Sequence, residues 1–533
     1  MEVDCIPFAK TGYFSKLIAD YLDEKEELSP FYGEMPVEAS FRPQIAARQE
    51  QFSKEQRKVL YDALERQYRE VEITELTRNN ISLLKSGNSF TVVTGHQLNL
   101  FTGPLYFLYK IMTVIRLSSA LKTAYPDYNF IPVYWMATED HDFEEINHFY
   151  FRGKKLRWNR KSSGGVGRLD TKGLQALLDT FVKEMGSSAN AISLKKLFSD
   201  AYLGHETLAG ATRYLVNALF GNYGLVILDG DDARLKQQLV PFMKRDIFEN
   251  QSYRAVSESI GALSALDDDY DIQVNPREIN YFYLEDGFRD RIESKNGHYY
   301  VLNSKKEFSR EALDHEMEQH PERFSPNVVT RPLYQELILP NLCYVGGGGE
   351  LSYWLELRAM FESMAVPFPI LMLRNSVLVI SKKQARKLER LKISNAELFL
   401  KQNNLINKKI REISNIDIDF SKQRAYLKEQ FAELYTLASQ TDPSFLGAVK
   451  AQEVKQLKGL DNLEKRLLKA QKRKLQDQVA RLSALQNELF PGQQLQERHQ
   501  NYSDLYLEYG EDLIPTVLEQ LQAYPQDFLV LRY

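Results

Sequence analysis

The chain has 533 residues, of which 43% are hydrophobic and 26% charged, an ordinary globular composition with length for two or three domains. A net charge of −4 and a pI near 6.2 leave no global basic footprint, which argues against nucleic acid as the main partner. Cys5 and Cys343 are the only cysteines and form no C-x-x-C pair, so neither a disulfide framework nor a thiolate zinc site is indicated, and a reducing cytoplasm fits.

The N-terminal MEVDCIPFAKTGYF lacks a basic segment followed by an apolar run, and Lys110 and Arg116 interrupt the most apolar stretch, so neither a signal peptide nor a spanning helix is expected. Residues 1 to about 40, punctuated by Pro7, Pro30, Gly33 and Pro36, read as irregular. From Gln44 to Lys85 a stripe through Leu60, Leu64 and Leu76 predicts helix. Ser89–Leu121 then reads as a strand over Phe90–Val93, a sharp turn at Thr94-Gly95, and a helix from Tyr106. Such a unit aims backbone N–H groups at a phosphate or carboxylate, and it equally suits a plain buried strand and core helix.

Asn129–Ala137 is an apolar run of strand length, as in a parallel sheet covered on both faces. It ends in a cluster holding Asp140, His141, Asp142 and His148, where open α/β sheets place ligands; a solvated helix start is the alternative, and the spacing matches no metal motif. KKLRWNR, SSGGVG and several short helices to about Gly221 read as an insertion, after which GLVILDG returns to a buried strand. Asp286-Gly287 and Asn296-Gly297 signal hairpins, so Ser252–Asn303, including YDIQVN, is expected to be an antiparallel β insertion.

Between Ser325 and Lys383 the pattern gives a helix start at Arg331, a strand over Leu342–Val345, and Gly346–Gly349 leading into a helix opened by Glu350. Four glycines there are useful chiefly where backbone approaches a ligand, but they have neither the P-loop lysine nor the G-x-G-x-x-G register. PFPILML, Arg374-Asn375-Ser376, VLVI and Ser381-Lys382-Lys383 follow. Leucines three or four apart from Val454 to Leu489 then predict one very long helix, with the run from Leu388 to Ile410 as its antiparallel partner. Such a hairpin suits homodimerisation, or packing on its own core.

The blocks TGHQLNLFTGP, WMATEDHDFEE and SPNVVTRPLYQELILPNLCYVGGGGELSYW, in this order over essentially the whole chain, resemble the cysteine ligases of bacillithiol biosynthesis, the BshC family. The resemblance implies an α/β, Rossmann-like parallel-sheet core related to class I aminoacyl-tRNA synthetases, with two connecting-peptide insertions and a C-terminal coiled-coil domain. The corresponding division is 1–150 for the N-terminal segment and first core half, 151–222 for the first insertion and 223–250 for a core strand and helix. The second insertion spans 251–324, the second core half 325–383, the coiled-coil hairpin 384–490, and a tail packing on the core 491–533.

By that resemblance the reaction joins the carboxyl of cysteine to the amine of glucosaminyl-malate. Because an amide does not form usefully from a free carboxylate in water, ATP is expected as activating co-substrate. Thr94, Gly95, His96 and Gln97 stand where synthetases carry a nucleotide-binding signature, and Ser381, Lys382 and Lys383 echo their lysine-containing loop, Lys382 being the catalytic candidate. Gly346, Gly347 and Gly348 are candidate nucleotide contacts. Asp140, His141 and Asp142 are candidates to bind the cysteine ammonium or sugar hydroxyls, or to take the amine proton. Lys110, Arg331, Glu350, Tyr353, Arg374 and Asn375 are substrate-binding candidates, the cations for the malate carboxylates. Family members commonly have Gln at the position of His96, which points to a positioning role there. No metal site is expected, and without a cysteine cluster the basis for choosing cysteine over serine stays open. A different adenylate-forming enzyme on the same core, or a non-catalytic dimeric scaffold, are the alternatives; nucleic acid and membrane are not expected partners.

Overall fold

A computed structural model describes residues 2–533, which divide into two compact units, 2–378 with Gln496–Leu531, and Val379–Leu495 with Arg532–Tyr533. The first unit is built on five parallel strands: β1 (Ser89–His96), β2 (Asn129–Met136), β3 (Val226–Asp229), β4 (Asn341–Gly346) and β5 (Ile370–Leu373), in the order β5-β4-β1-β2-β3. Every residue of β1 is buried, as its apolar run demands of a strand covered on both faces. In register, His96 lies beside Met136, Met136 beside Asp229, and Gly346 beside Leu373, so the carboxyl ends finish level. Helix α1 (Tyr106–Ala124) links β1 to β2 and packs on both.

Chain order runs outward from β1 to β3 on one side and returns through β4 and β5 on the other, so the crevice between the carboxyl ends of β1 and β4 is a topological switch point. Helices α2 (Arg331–Ile338) and α3 (Gly348–Leu355) flank β4. Between β2 and β3 stand a two-stranded hairpin and four α-helices; between β3 and β4 stands an antiparallel sheet that includes strands Tyr281–Glu285 and Phe288–Lys295.

Several local expectations are corrected. Thr94-Gly95 is not a turn: β1 continues through His96 because β2 keeps pairing with it as far as Met136, and the chain reverses later, where Phe101, Thr102 and Gly103 all have positive φ. That loop is held from the C-terminal tail, since Asn501 Nδ2 donates to the carbonyls of Phe101 (2.7 Å) and Gly103 (2.6 Å). The first 40 residues are not irregular; they contain strand Glu2–Pro7 and helix Lys16–Leu22. Ser252–Asn303 is only partly β, because Gln251–Leu266 is helical and YDIQVN forms no ladder: the buried Glu356 carboxylate accepts from the N–H groups of Gln273 (2.8 Å) and Val274 (3.2 Å).

In the second unit the expected single long helix is two, α6 (Pro443–Lys474) and α7 (Gln476–Leu489), separated at Leu475, whose backbone leaves the helical region (φ −104, ψ 30). Its partner is also divided. Helix α5 (Ser421–Ala438) covers the first part of α6 through Phe431, Ala438 and Val449, while α4 (Gln402–Ile413) reaches α6 through Arg411–Glu464 (2.7 Å) and α7 through Gln402–Asn487 (2.9 Å). Among the described residues no helix is long and apolar enough to cross a membrane.

Candidate active site

A cavity of about 850 Å3 opens at the switch point and is lined from the ends of β1, β2 and β4 together, by residues that include Gly95, Ala137 and Gly347. Its wall carries seven cations (Lys110, Arg277, Arg289, Arg291, Arg331, Arg374, Arg498) against four carboxylates (Glu139, Asp140, Glu145, Glu350), a surplus that suits an anionic ligand.

The β1 end supplies Gly95, His96 and Gln97. A side chain at Gly95 would stand 3.5 Å from the Tyr344 hydroxyl and 3.8 Å from Arg331 Nη1, so glycine keeps that corner open. His96 is buried against Tyr106 and Phe107, and burial, with Lys110 and Arg374 nearby, pushes its pKa well below the usual imidazole range. Its Nε2 is buried without a hydrogen-bond partner. Gln97 Nε2 donates to Asp140 Oδ2 (2.7 Å) and Glu145 Oε2 (2.8 Å).

The loop after β2 is strapped from the first insertion: Val166 N–H donates to the Asp140 carbonyl (2.7 Å) and Gly167 N–H to the Thr138 carbonyl (2.8 Å). Asp140 Oδ1 accepts from the backbone N–H groups of His141 and Asp142. Behind it Glu139 pairs with the fully buried Lys236 at 2.5 Å, and Lys236 also reaches Asp231 at 3.2 Å. Burial pushes Glu139 up, opposed by Lys236.

On the β4 side Gly347 caps α3 and its N–H donates to Glu350 Oε2 (2.8 Å), while Tyr344 OH donates to Glu350 Oε1 (2.8 Å). Lys110 reaches the same carboxylate and donates to the Gly95 carbonyl (2.7 Å). Arg374 pairs with the buried Glu497 (2.6 Å), leaving its Nε buried and unpartnered beside Gly347. Arg331 lies 5.8 Å from both the Trp135 and Tyr344 ring centroids, with the Tyr353 phenol next to it.

Of the residues singled out from sequence, Gly95, His96, Gln97, Lys110, Asp140, His141, Arg331, Gly347, Glu350, Tyr353 and Arg374 line this cavity. Others are elsewhere. Thr94 is buried with its hydroxyl donating to the Val345 carbonyl (2.7 Å), and Asn375 is held by Thr113 and the Gln522 carbonyl. Gly346 completes β4, and Gly348 faces Phe14 and Ile18. Asp142 caps the short helix Phe143–Ile146. Ser381, Lys382 and Lys383 belong to the second unit, where Ser381 and Gln384 form the capping box of helix Lys382–Arg390. Lys110 is held in an ion pair rather than left open to a ligand.

The cationic cavity residues that sequence reasoning passed over are Arg277, Arg289 and Arg291 from the second insertion and Arg498 from the tail. Arg289 and Arg291 sit two apart on one strand, a spacing that puts both side chains on one face and was the available signal. Among the described residues no group of three His, Cys, Asp or Glu side chains is arranged to hold a metal, and Cys343 is a buried free thiol.

A parallel sheet with a polar, cation-rich crevice at its switch point defines a Rossmann-like ligand-binding α/β protein. The chain belongs to the BshC family: residues 1–375 match the bacillithiol biosynthesis BshC N-terminal Rossmann-like domain and residues 377–533 its C-terminal coiled-coil domain. It is similar to proteins named "Putative cysteine ligase BshC" from Flavobacterium johnsoniae, 55% identical over 100% of both chains, and Flavobacterium psychrophilum, 54% identical over 100% of both. A solved structure titled as an arginyl-tRNA synthetase from Campylobacter jejuni covers 84% of this chain and 97% of its own at 10% identity, with a TM-score of 0.20 that lends no weight to fold or function.

Proposed function

We propose that the protein is a ligase that forms an amide between the carboxyl of cysteine and the amine of glucosaminyl-malate, the last step of bacillithiol biosynthesis, in the cytoplasm. The observation that carries this reading is the cation surplus in the switch-point cavity, together with the membership of the BshC family. Both proposed substrates bring carboxylates, and Arg277, Arg291 and Arg498 add cationic side chains to the cavity wall.

Activation of the carboxyl is the chemical requirement, and ATP is the co-substrate proposed for it. The residues fit such a group. Arg374 Nε and His96 Nε2 are buried polar atoms without partners, and the missing side chains of Gly95 and Gly347 leave room beside Arg331 and Arg374. Fixed cations in a partly dry crevice stabilise charge that develops on phosphate or carboxylate oxygens without reorganising. Asp140, held by Gln97 and two backbone N–H groups, is the carboxyl placed to orient an ammonium or amine.

A homodimer through the second unit is part of the proposal, supported by the exposed Tyr426, Leu434, Leu437, Phe445, Leu446, Val454 and Leu463. The test incubates purified protein with cysteine, ATP and glucosaminyl-malate and follows bacillithiol and AMP or ADP by mass spectrometry. Bacillithiol with stoichiometric nucleotide product is expected. Product without nucleotide consumption would overturn the activation step, and absence of product with all three substrates would overturn the ligase reading.

A further inference from the structure

The second insertion does more than wall the cavity, because one of its side chains contacts His141 on the loop after β2. Arg289, on strand Phe288–Lys295, is anchored on three sides: its Nε donates to Ser325 Oγ (3.1 Å), its Nη2 to the Pro326 carbonyl (3.4 Å), and its guanidinium lies 3.9 Å from the Phe282 ring centroid. The remaining Nη1 stands 2.6 Å from Nδ1 of His141, whose ring packs on the same Phe282 at 5.6 Å. A guanidinium only donates and does not lose its proton, so the nitrogen facing it must accept. Nδ1 is therefore bare, and the proton of a neutral imidazole sits on Nε2.

We infer that Arg289 locks His141 as the neutral Nε2–H tautomer, so that His141 serves the ligand in the cavity as a hydrogen-bond donor and does not take the amine proton. Arg289 is on this account a positioning residue. The groups facing the ring agree with that assignment. Burial and Arg289 lower the His141 pKa, while Asp140, Asp142 and Asp290 raise it, with a net downward result. Asp140 Oδ1 is 3.8 Å from Nδ1 and already accepts two backbone N–H groups. The tautomer depends on the protein alone, whereas the donor role rests on the ligase reading.

The test labels the full-length protein with 15N-histidine and records two-bond 1H–15N correlations, which separate the two neutral tautomers and the imidazolium. His141 is assigned by the signal lost in His141→Gln. The expected result is an Nε2–H ring that stays neutral as the pH falls through the ordinary histidine pKa of 6.5, and in Arg289→Met a ring that protonates at higher pH with mixed tautomers. A wild-type signal from Nδ1–H or imidazolium near neutral pH would overturn the lock. In the ligase assay, His141→Asn is expected to lose about tenfold in kcat/KM for the amine, the worth of one hydrogen bond to a charged group, and His141→Gln, whose amide nitrogen can replace Nε2–H, is expected to lose less than His141→Asn. Loss of about 100-fold or more in both variants would instead mark His141 as a base and overturn the donor role. If wild-type protein makes no product, the ligase reading fails while the spectra still decide the tautomer.

Discussion

Lys110 Nζ lies 2.5 Å from Glu350 Oε2, joining the second turn of α1 to the first turn of α3. Lys110 is 3% exposed and Glu350 25% exposed at its side chain, so the pair is nearly dry at one end and open to the cavity at the other. Burial pushes the Glu350 carboxyl up, but Lys110, the Gly347 N–H and the Tyr344 hydroxyl together hold it below the usual range. The glycine-rich segment and the lysine are thus one device, built to fix the β4 wall.

Lys110→Met is expected to lower stability by about 3 kcal/mol, the low end for breaking a buried pair because Glu350 retains some solvent. Lys110→Met with Glu350→Gln should recover part of that loss. Glu350 contributes stability above its ordinary pKa of 4.5 that is lost as the pH falls through its lower folded value, so wild type and Glu350→Gln should converge in acid. Urea melts across that range check both statements.

Asn501→Ala removes two hydrogen bonds to a loop whose Phe101 and Thr102 have φ of 47 and 68, as well as the side-chain acceptor for Ser503 N–H. A cost of about 2–4 kcal/mol is expected from the lost bonds and cap. The distinguishing readout is hydrogen exchange: amides of Leu100–Gly103 should exchange faster than those of β1, because the backbone strain there persists only while its surroundings enforce it.

Burial raises the pKa of Asp246 to about 6; its Oδ1 accepts from Ser252 N–H at 2.7 Å and its Oδ2 has no partner. The folded state therefore binds this proton more tightly than the unfolded chain, and stability falls as pH rises from 3.8 to about 6. Asp246→Asn keeps an acceptor for Ser252 and removes the charge. Relative to wild type it should gain about 2–3 kcal/mol near neutral pH and little in acid, read by thermal melts over pH.

In the second unit, Leu437 and Leu463 are each 53% exposed although both sit on long helices. If this surface carries the dimer, Leu437→Glu with Leu463→Glu should halve the mass measured by analytical ultracentrifugation while leaving the helical circular dichroism unchanged. A variant that remains dimeric would move the interface elsewhere.

Much of the α/β core was legible in the chain because a strand buried on both faces must be apolar throughout, and Asn129–Ala137, GLVILDG and PFPILML are. The helix starting at Tyr106 and the turns at Asp286-Gly287 and Asn296-Gly297 were legible for the same local reason, residue pattern and turn chemistry. Where the reading failed, a distant partner had overridden a local preference. Gly95 stays in a strand because Trp135 pairs with it, and YDIQVN leaves the extended ladder because Glu356, some eighty residues on, takes its N–H groups.

The candidate site divides in the same way. Residue types and their position after strands brought Gly95, Asp140, His141 and Gly347 forward from sequence, since strand ends carry ligands in any such sheet. Only the tertiary structure decided that Lys110 and Arg374 are held by Glu350 and Glu497, and that Arg289 reaches His141 across 148 positions of chain. The physical reason is range: periodicity and turn preference act over a few residues, whereas charge pairing and tautomer choice depend on which atoms folding brings within hydrogen-bond distance.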